Sequence, residues 1–452
     1  MEAGPAPDPD PDLPRQNGAH HRQAHLAALQ QSLVDQLKAR GFLRTARIEA
    51  AFRSVPRHLF LPGVPPEEVY RDQVIPLKVV DGVCVSSSSQ PAIMAIMLEQ
   101  LELEPGQHVL EIGAASGYNA ALMAHIVGES GSVVTIDIDE DLVEGARAHL
   151  AAAGYGHVQV ICGDGALGYP PAAPYDRIIL TVASGDIATP WYEQLKPDGR
   201  LLLPLALRDA QFSVAFERHG DHLESVSVRC CAFMLLRGSF TEAGGIFALG
   251  PGSESDVSSA LQLRLNNYQA VDVAALYRDL TGPWYDLPSG VLASLHEIHY
   301  GFNSWLSQRE PAACSLVAQR EHAALAELPW LFKVAGLETR ATIGLVADNH
   351  IALLALPPAR RLPASSNGES KQTAYEIMVR CFGGAGYLAR HLLALLRAWD
   401  AAGRPAGWYL FPGDERLRLR VYPLHVPCPE EPAPGRLIFT RRWSRLVIER
   451  QA

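Results

Sequence analysis

Seven cysteines are present, yet no C-x-x-C pair occurs among Cys84, Cys162, Cys230, Cys231, Cys314, Cys381 and Cys428. Their odd number and scatter argue against both a disulfide framework and a zinc site, and predict reduced thiols in a cytoplasmic protein. The run His296-Glu297-Ile298-His299 lacks the i, i+4 histidine pair of a zinc-protease helix, so no metal is expected. No apolar run reaches bilayer length, and the first residues are rich in Asp and Pro where a secretion signal needs a basic and then an apolar region. Neither membrane insertion nor secretion is expected. An excess of positive charge is also missing. Lys and Arg number 39 against 49 Asp and Glu, a formal net charge of −10, which opposes non-specific binding to nucleic acid or anionic membrane.

What remains is an ordinary globular composition, 48% hydrophobic and 19% charged, in a chain of 452 residues, too long for one compact core. Its centre of organisation is VLEIGAASGY at 109–118, an apolar strand that breaks into a glycine-containing turn and opens a helix at Asn119. Glycine at Gly113 and Gly117 removes the Cβ that would keep a ligand from the backbone N–H groups. Such a turn by itself often does no more than pack a helix on a strand. The downstream runs decide. SVVTIDID at 132–139 reads as a buried parallel strand with Asp137 near its end, where a carboxylate accepts from a ribose diol. VQVICGDG ends in Asp164-Gly165, YDRIILTV at 175–182 is a fourth strand, and LLLPL at 201–205 follows the turn at Lys196–Gly199. Strands alternating with helices at this spacing predict a doubly wound, mostly parallel Rossmann-like sheet with ligands at the strands' carboxyl ends.

Upstream, residues 1–20 read as a disordered tail, residues 23–40 as an amphipathic helix stopped by Gly41, and 46–53 as a second helix that Thr45 could cap. VSSSSQPAIMAIMLEQL at 85–101 is a serine-rich turn leading into an amphipathic helix.

Taken together, VPRHLF, SQPAIMAIMLEQL, VLEIGAASGYNAALMA, VVTIDID, CGDG, YDRIILTVAS and EQLKPDGRLLLPL resemble the protein-L-isoaspartate O-methyltransferases, in order and separation, over residues 45–240. The resemblance implies S-adenosylmethionine as cofactor, bound by Ser87, Glu111, Gly113, Ala115, Gly117, Asp137, Ile138, Asp164, Gly165 and Thr181. It places Ser89 on the family's active-site serine, with Ser88, Gln90, Phe233, Met234 and Leu235 toward the peptide substrate. Capping is the alternative role for Asp137, Asp164 and Ser89. Arg57 and His58 are expected to brace the N-terminal helices. Three positions depart from the family pattern: Ala115 replaces a glycine, Ser184-Gly185 an Ala-Pro pair, and Leu235 a proline.

An aspartyl carboxylate is already an anionic nucleophile at neutral pH, so the implied reaction needs no strong base. Placement and partial desolvation are what the protein must supply, with Ser89 orienting the acceptor by a hydrogen bond.

Residues 21–240 are thus read as the catalytic domain, 241–260 as a linker and 261–452 as an accessory α+β domain with a mostly antiparallel sheet. Helices are expected near 269–280, 289–308 and 385–402, a hairpin at 341–356 turning at Asp348-Asn349, strands at AYEIMVRCF, LRLRVYPL and in LIFTRRWSRLVIER, and a mobile loop at 358–372. Arg416, Arg418 and Arg420 alternate along one strand and read as solvated edge charge or as a basic face for an acidic peptide. With this extra domain, a peptide-recognition or homodimerisation module, the chain is similar to the isoaspartyl-methyltransferase-like enzymes of lanthipeptide (FxLD-type) pathways. That resemblance implies methylation of an ordinary Asp in a modified precursor peptide and passage through succinimide to isoAsp. Repair of isoAsp in damaged proteins is the alternative, and a non-catalytic scaffold with a cofactor-like fold is a third reading.

Overall fold

A computed structural model describes residues 13–80, 83–207, 210–240, 246–250, 261–265, 271–318, 328–333, 340–357, 373–405, 417–431, 433 and 436–450. The chain divides into two compact units: Met1–Gly165 with Pro171–Ile179, and Ala166–Pro170 with Leu180–Ala452.

The first unit opens with helices α1 (Leu13–Ala39), α2 (Ala46–Ser54) and the short α3 (Pro66–Val69). α1 begins inside the stretch expected as a tail and ends before Gly41, whose φ of 77° breaks the helix. Thr45 stands at the N-cap of α2, but its hydroxyl donates to Glu99 Oε2 at 2.7 Å instead of capping. A two-stranded antiparallel hairpin, β1 (Ile75–Val80) and β2 (Val83–Ser88), leads into α4 (Pro91–Leu101). Pro91 suits the first turn of α4, where no N–H is needed, and Asp72 Oδ1 accepts the Ala92 N–H at 2.9 Å.

The parallel strands follow: β3 (His108–Ile112), α5 (Tyr118–Val127), β4 (Ser132–Asp137), α6 (Glu140–Ala152), β5 (Gln159–Cys162) and β6 (Tyr175–Leu180). Their order is β6-β3-β4-β5, with β3/β4 and β4/β5 parallel. The chain steps outward from β3 to β5 and then returns to the other side of β3. That reversal makes a switch point beside the glycine turn, the place where open α/β sheets bind ligands. The fold is the Rossmann-like α/β methyltransferase fold the sequence predicts.

In the second unit, α7 (Thr189–Gln194) precedes a meander of β7 (Leu195–Leu207), β8 (Ala210–His219) and β9 (His222–Cys231). The turn expected at 196–199 lies inside β7. An eight-stranded antiparallel sheet contains β10 (Ile246–Leu249), β11 (Leu261–Leu265), β12 (Trp284–Ser294), β13 (Ala313–Ala318), β14 (Phe332–Lys333), β15 (Arg340–Ala347), β16 (His350–Ala355) and β17 (Ala374–Phe382). β10 forms inside the stretch expected as a linker; 241–245, 251–260 and the loop at 358–372 lie outside the described residues.

Alternation along the strands builds two cores on opposite faces. On β16, Ala352 and Leu354 join one cluster, while Ile351 and Leu353 join the other. Helix α10 (Gly386–Ala401) covers the first face with Leu388, Leu392, Leu396 and Trp399. Helix α8 (Val273–Thr281) covers the second with Leu276 and Leu280; its N-cap Asp272 accepts the Ala275 N–H. Helix α9 (Asn303–Arg309) follows a π-helical turn at Glu297–Phe302. The expected helix at 289–308 is therefore corrected at its start, since residues 289–294 belong to β12. Val291 and Ala293 are buried while Leu292 is 60% exposed, the period of a strand and not of a helix. Asp348 and Asn349 turn the hairpin at φ of 50° and 60° as expected.

The last strands are β18 (Leu417–Pro423), β19 (Arg436–Thr440) and β20 (Ser444–Arg450). They leave the eight-stranded sheet and extend the β7–β9 meander in the order β7-β8-β9-β18-β20-β19. β18 is interior, and its arginines are paired: Arg418 with Glu224, and Arg420 with Glu430 and Glu449. Among the described residues the arginines of β18 are therefore ion-paired and interior to the sheet. Arg416 lies outside the described residues.

Candidate active site

Within the first unit, the ends of three adjacent parallel strands carry the predicted cofactor residues. After β3, Gly113, Ala115 and Gly117 take φ of 109°, 47° and 85°. Alanine at 115 accepts a left-handed conformation that glycine holds more cheaply. A Cβ on Gly117 would stand 3.2 Å from Leu150 of α6, so glycine there lets α5 start close against its neighbour. After β4, Asp137 Oδ2 accepts the Ala115 N–H at 2.9 Å, and Oδ1 accepts the Asp139 N–H at 3.2 Å. Asp139 is the N-cap residue of α6, so capping that helix does not account for Asp137. Beside it Ile138 is 39% exposed, an apolar surface at the strand end. After β5 come Asp164, half-buried, and Gly165, whose missing Cβ would lie 2.3 Å from Ile112 Cγ2. A carboxylate at a strand end, the backbone N–H groups of a glycine turn and an exposed isoleucine are the kinds of group an adenosyl ligand needs. Ser87, also half-buried, lies on β2 opposite Pro76.

Glu111 has a different position from the one implied. Its side chain is fully buried and accepts from Thr135 Oγ1 at 2.6 Å and Asn119 Nδ2 at 2.8 Å, tying β3 to β4 and α5. Burial pushes its carboxyl up to about 7, against those two hydrogen bonds. The folded protein then holds a proton that the unfolded chain releases above about 4.5. Stability should therefore fall as pH rises from about 4.5 to 7, by up to about 3 kcal/mol from this group. Asp186, also buried and raised to about 7, acts in the same direction. Glu111→Gln should flatten this decline in calorimetric unfolding, and an unchanged slope would contradict the assignment.

Residues 85–88, expected as part of a serine-rich turn, belong to β2 instead, and the turn is confined to Ser89-Gln90 between β2 and α4. The end of β2 rests on Arg57, a residue expected only to brace the N-terminal helices. Arg57 is fully buried, and its Nη2 donates to the Ser89 carbonyl at 3.0 Å and to Ser88 Oγ at 3.3 Å. Nη1 reaches the Arg71 carbonyl at 3.4 Å, and the guanidinium lies 5.7 Å from the Tyr118 ring centre. Gln90 Nε2 donates to the Asp72 carbonyl. Ser88 is buried, while Ser89 is half-buried. No local pattern points to Arg57; VPRHLF carries the only hint, as a family motif. His58 does brace the helices, since its Nδ1 pairs with the Tyr70 hydroxyl at 2.7 Å, which donates to Gln30 of α1.

In the second unit Thr181 is half-buried, and the predicted substrate residues Phe233, Met234 and Leu235 follow β9. Gln211 holds both backbone groups of Phe233, at 2.6 and 3.0 Å. Ala183 donates to the Met234 carbonyl at 2.7 Å and accepts from Leu236 N–H at 2.8 Å.

A family model described as protein-L-isoaspartate(D-aspartate) O-methyltransferase matches residues 28–239. The protein-L-isoaspartate O-methyltransferase of Hyperthermus butylicus is 41% identical over 217 residues, covering 46% of this chain and 88% of that protein. The chain belongs to the protein-L-isoaspartate O-methyltransferase family. Family membership makes it an S-adenosylmethionine-dependent methyltransferase. The member from Methanoculleus marisnigri is 39% identical over 211 residues, 47% of this chain and 92% of its own. A solved protein-L-isoaspartate O-methyltransferase structure aligns at a TM-score of 0.45 and 23% identity, over 86% of this chain and 96% of that one. The family match ends at 239, before the eight-stranded sheet begins.

Proposed function

We propose that the protein O-methylates an ordinary Asp side chain in a modified, ring-containing precursor peptide of the lanthipeptide kind. One observation carries this reading beyond the family's chemistry. The relatives are covered over about nine-tenths of their length yet match less than half of this chain, and the unmatched part contains an eight-stranded antiparallel sheet with two cores. Such an addition suits recognition of a particular peptide better than recognition of damage scattered over many proteins.

In the proposed reaction S-adenosylmethionine supplies an electrophilic methyl group on a sulfonium leaving group. Asp137 accepts the ribose hydroxyls, Gly113 to Gly117 bring backbone close to the cofactor, and Ile138, Asp164 and Gly165 flank the adenine. Ser89 donates to one oxygen of the acceptor carboxylate and leaves the other to attack. Phe233 to Leu235 bind the peptide backbone. An aspartyl oxygen forms the new bond to the methyl carbon as the carbon–sulfur bond breaks. The peptide's next backbone nitrogen then attacks the ester carbonyl, loses its proton and expels methanol, and water opens the succinimide to Asp or isoAsp.

Repair of isoAsp in damaged proteins is the second reading, favoured by the names of the relatives. Mass spectrometry with equimolar isoAsp peptide and ring-bearing precursor separates the two. Gain of one methyl and then loss of methanol from the precursor is the expected result. Turnover of the isoAsp peptide alone assigns repair.

A further inference from the structure

The segment after β6, Ser184-Gly185-Asp186, is held by two distant parts of the second unit. Asp186 is 1% exposed. Both of its carboxylate oxygens are taken by the tip of the β19–β20 hairpin: Oδ2 accepts the Trp443 N–H at 2.7 Å, and Oδ1 accepts the Ser444 hydroxyl at 2.5 Å. Oδ1 also accepts the Ile187 N–H at 2.7 Å. The neighbouring Arg441, itself 3% exposed, is a second buried charge at the same tip, and its backbone N–H closes the turn on Ser444 O at 2.8 Å. Trp443 stacks on Phe240, which packs on Trp191 of α7.

Just before Asp186 the chain makes isolated bridges on both sides, Ser184 to Leu205 of β7 and Ala183 to Leu235. Ser184 N–H donates to Pro204 O at 2.9 Å, and Ser184 O accepts from Ala206 N–H at 2.8 Å. Ala183 on the other side is bonded to Met234 and Leu236. The serine hydroxyl joins the two parts, donating to Asp186 O at 2.5 Å.

We infer that Asp186 is a positioning residue for the acceptor peptide: the C-terminal hairpin clamps it, and through Ser184 and Ala183 fixes the Met234–Leu236 segment that grips the substrate. A carboxylate this buried is retained only where donors satisfy it, and three donors from two distant parts of the sequence do so here. This makes the last residues of the chain part of the peptide site of a family whose matched region ends two hundred residues earlier. The inference rests on the proposed role of Met234–Leu236 in holding peptide.

Asp186→Asn and Ser444→Ala test it in the full-length protein, with an isoAsp peptide and the ring-bearing precursor as acceptors. Asp186→Asn should raise KM for whichever peptide the wild type methylates by tenfold or more, and Ser444→Ala by about threefold. The affinity for S-adenosylhomocysteine should stay within twofold of wild type, and the double variant should be no worse than Asp186→Asn alone. Hydrogen exchange at the Ala183 and Leu236 amides should accelerate in both variants while the Val134 amide of β4 is unchanged. Wild-type turnover reports on the proposed function by itself, and exchange tests the clamp even if neither peptide is a substrate. Unchanged exchange at Ala183 and Leu236, or equal losses of cofactor affinity and peptide KM, overturns the inference. If Asp186→Asn does not fold, Ser444→Ala decides by the same readings.

Discussion

Asp137→Ala should weaken S-adenosylmethionine binding by about ten- to a hundredfold, the equivalent of losing charge-assisted hydrogen bonds of about 1.5–3 kcal/mol. Two losses add in the same direction. The proposed acceptor of the ribose hydroxyls is removed, and the Ala115 N–H, now held by Asp137 Oδ2 at 2.9 Å, is released from a turn that a non-glycine residue occupies at φ 47°. Asp137→Asn keeps an oxygen for Ala115 and should lose less. Calorimetric titration checks both, and an affinity for Asp137→Ala within threefold of wild type would remove Asp137 from the cofactor site.

Ser89→Ala should cut turnover by about ten- to a hundredfold, the effect of one hydrogen bond to a charged oxygen, while cofactor affinity stays near wild type. The separation is expected because Arg57 grips this turn through the Ser89 carbonyl and the Ser88 hydroxyl, neither of which alanine at 89 removes. Ser88→Ala is the informative contrast, since it takes a partner from a fully buried guanidinium. It should loosen the turn and lower thermal stability as well. Equal losses of turnover and cofactor binding in Ser89→Ala would make that serine structural.

What could be read from the residues and what could not divides along the range of the interactions. The strand-turn-helix at 109–118, Asp137 at a strand end, the Asp348-Asn349 hairpin and the amphipathic α10 each depend on neighbours within a few residues, so periodicity and turn chemistry disclose them. The family resemblance implies cofactor contact for Glu111, yet its partners Asn119 and Thr135 come from two other elements and take its side chain into the core. Arg57 and Asp72 act on the serine turn and on α4 across long separations, with no spacing to betray them. The end of β12, residues 289–294, is not separable in the sequence from the helix expected at 289–308, because the burial of its apolar residues and the exposure of Leu292 are set by the sheet it joins. The pairing of β18 with β9, at Arg420 and Glu224, and the clamp on Asp186 join parts of the chain that only the folded structure brings together.

The most direct measurement is transfer of an isotopically labelled methyl group from S-adenosylmethionine to an aspartyl peptide, followed by mild alkali. The account predicts one label per peptide, lost from it as labelled methanol, as a carboxyl methyl ester requires. Label that survives alkali, or no label on any Asp or isoAsp peptide from protein shown to bind the cofactor, would contradict it.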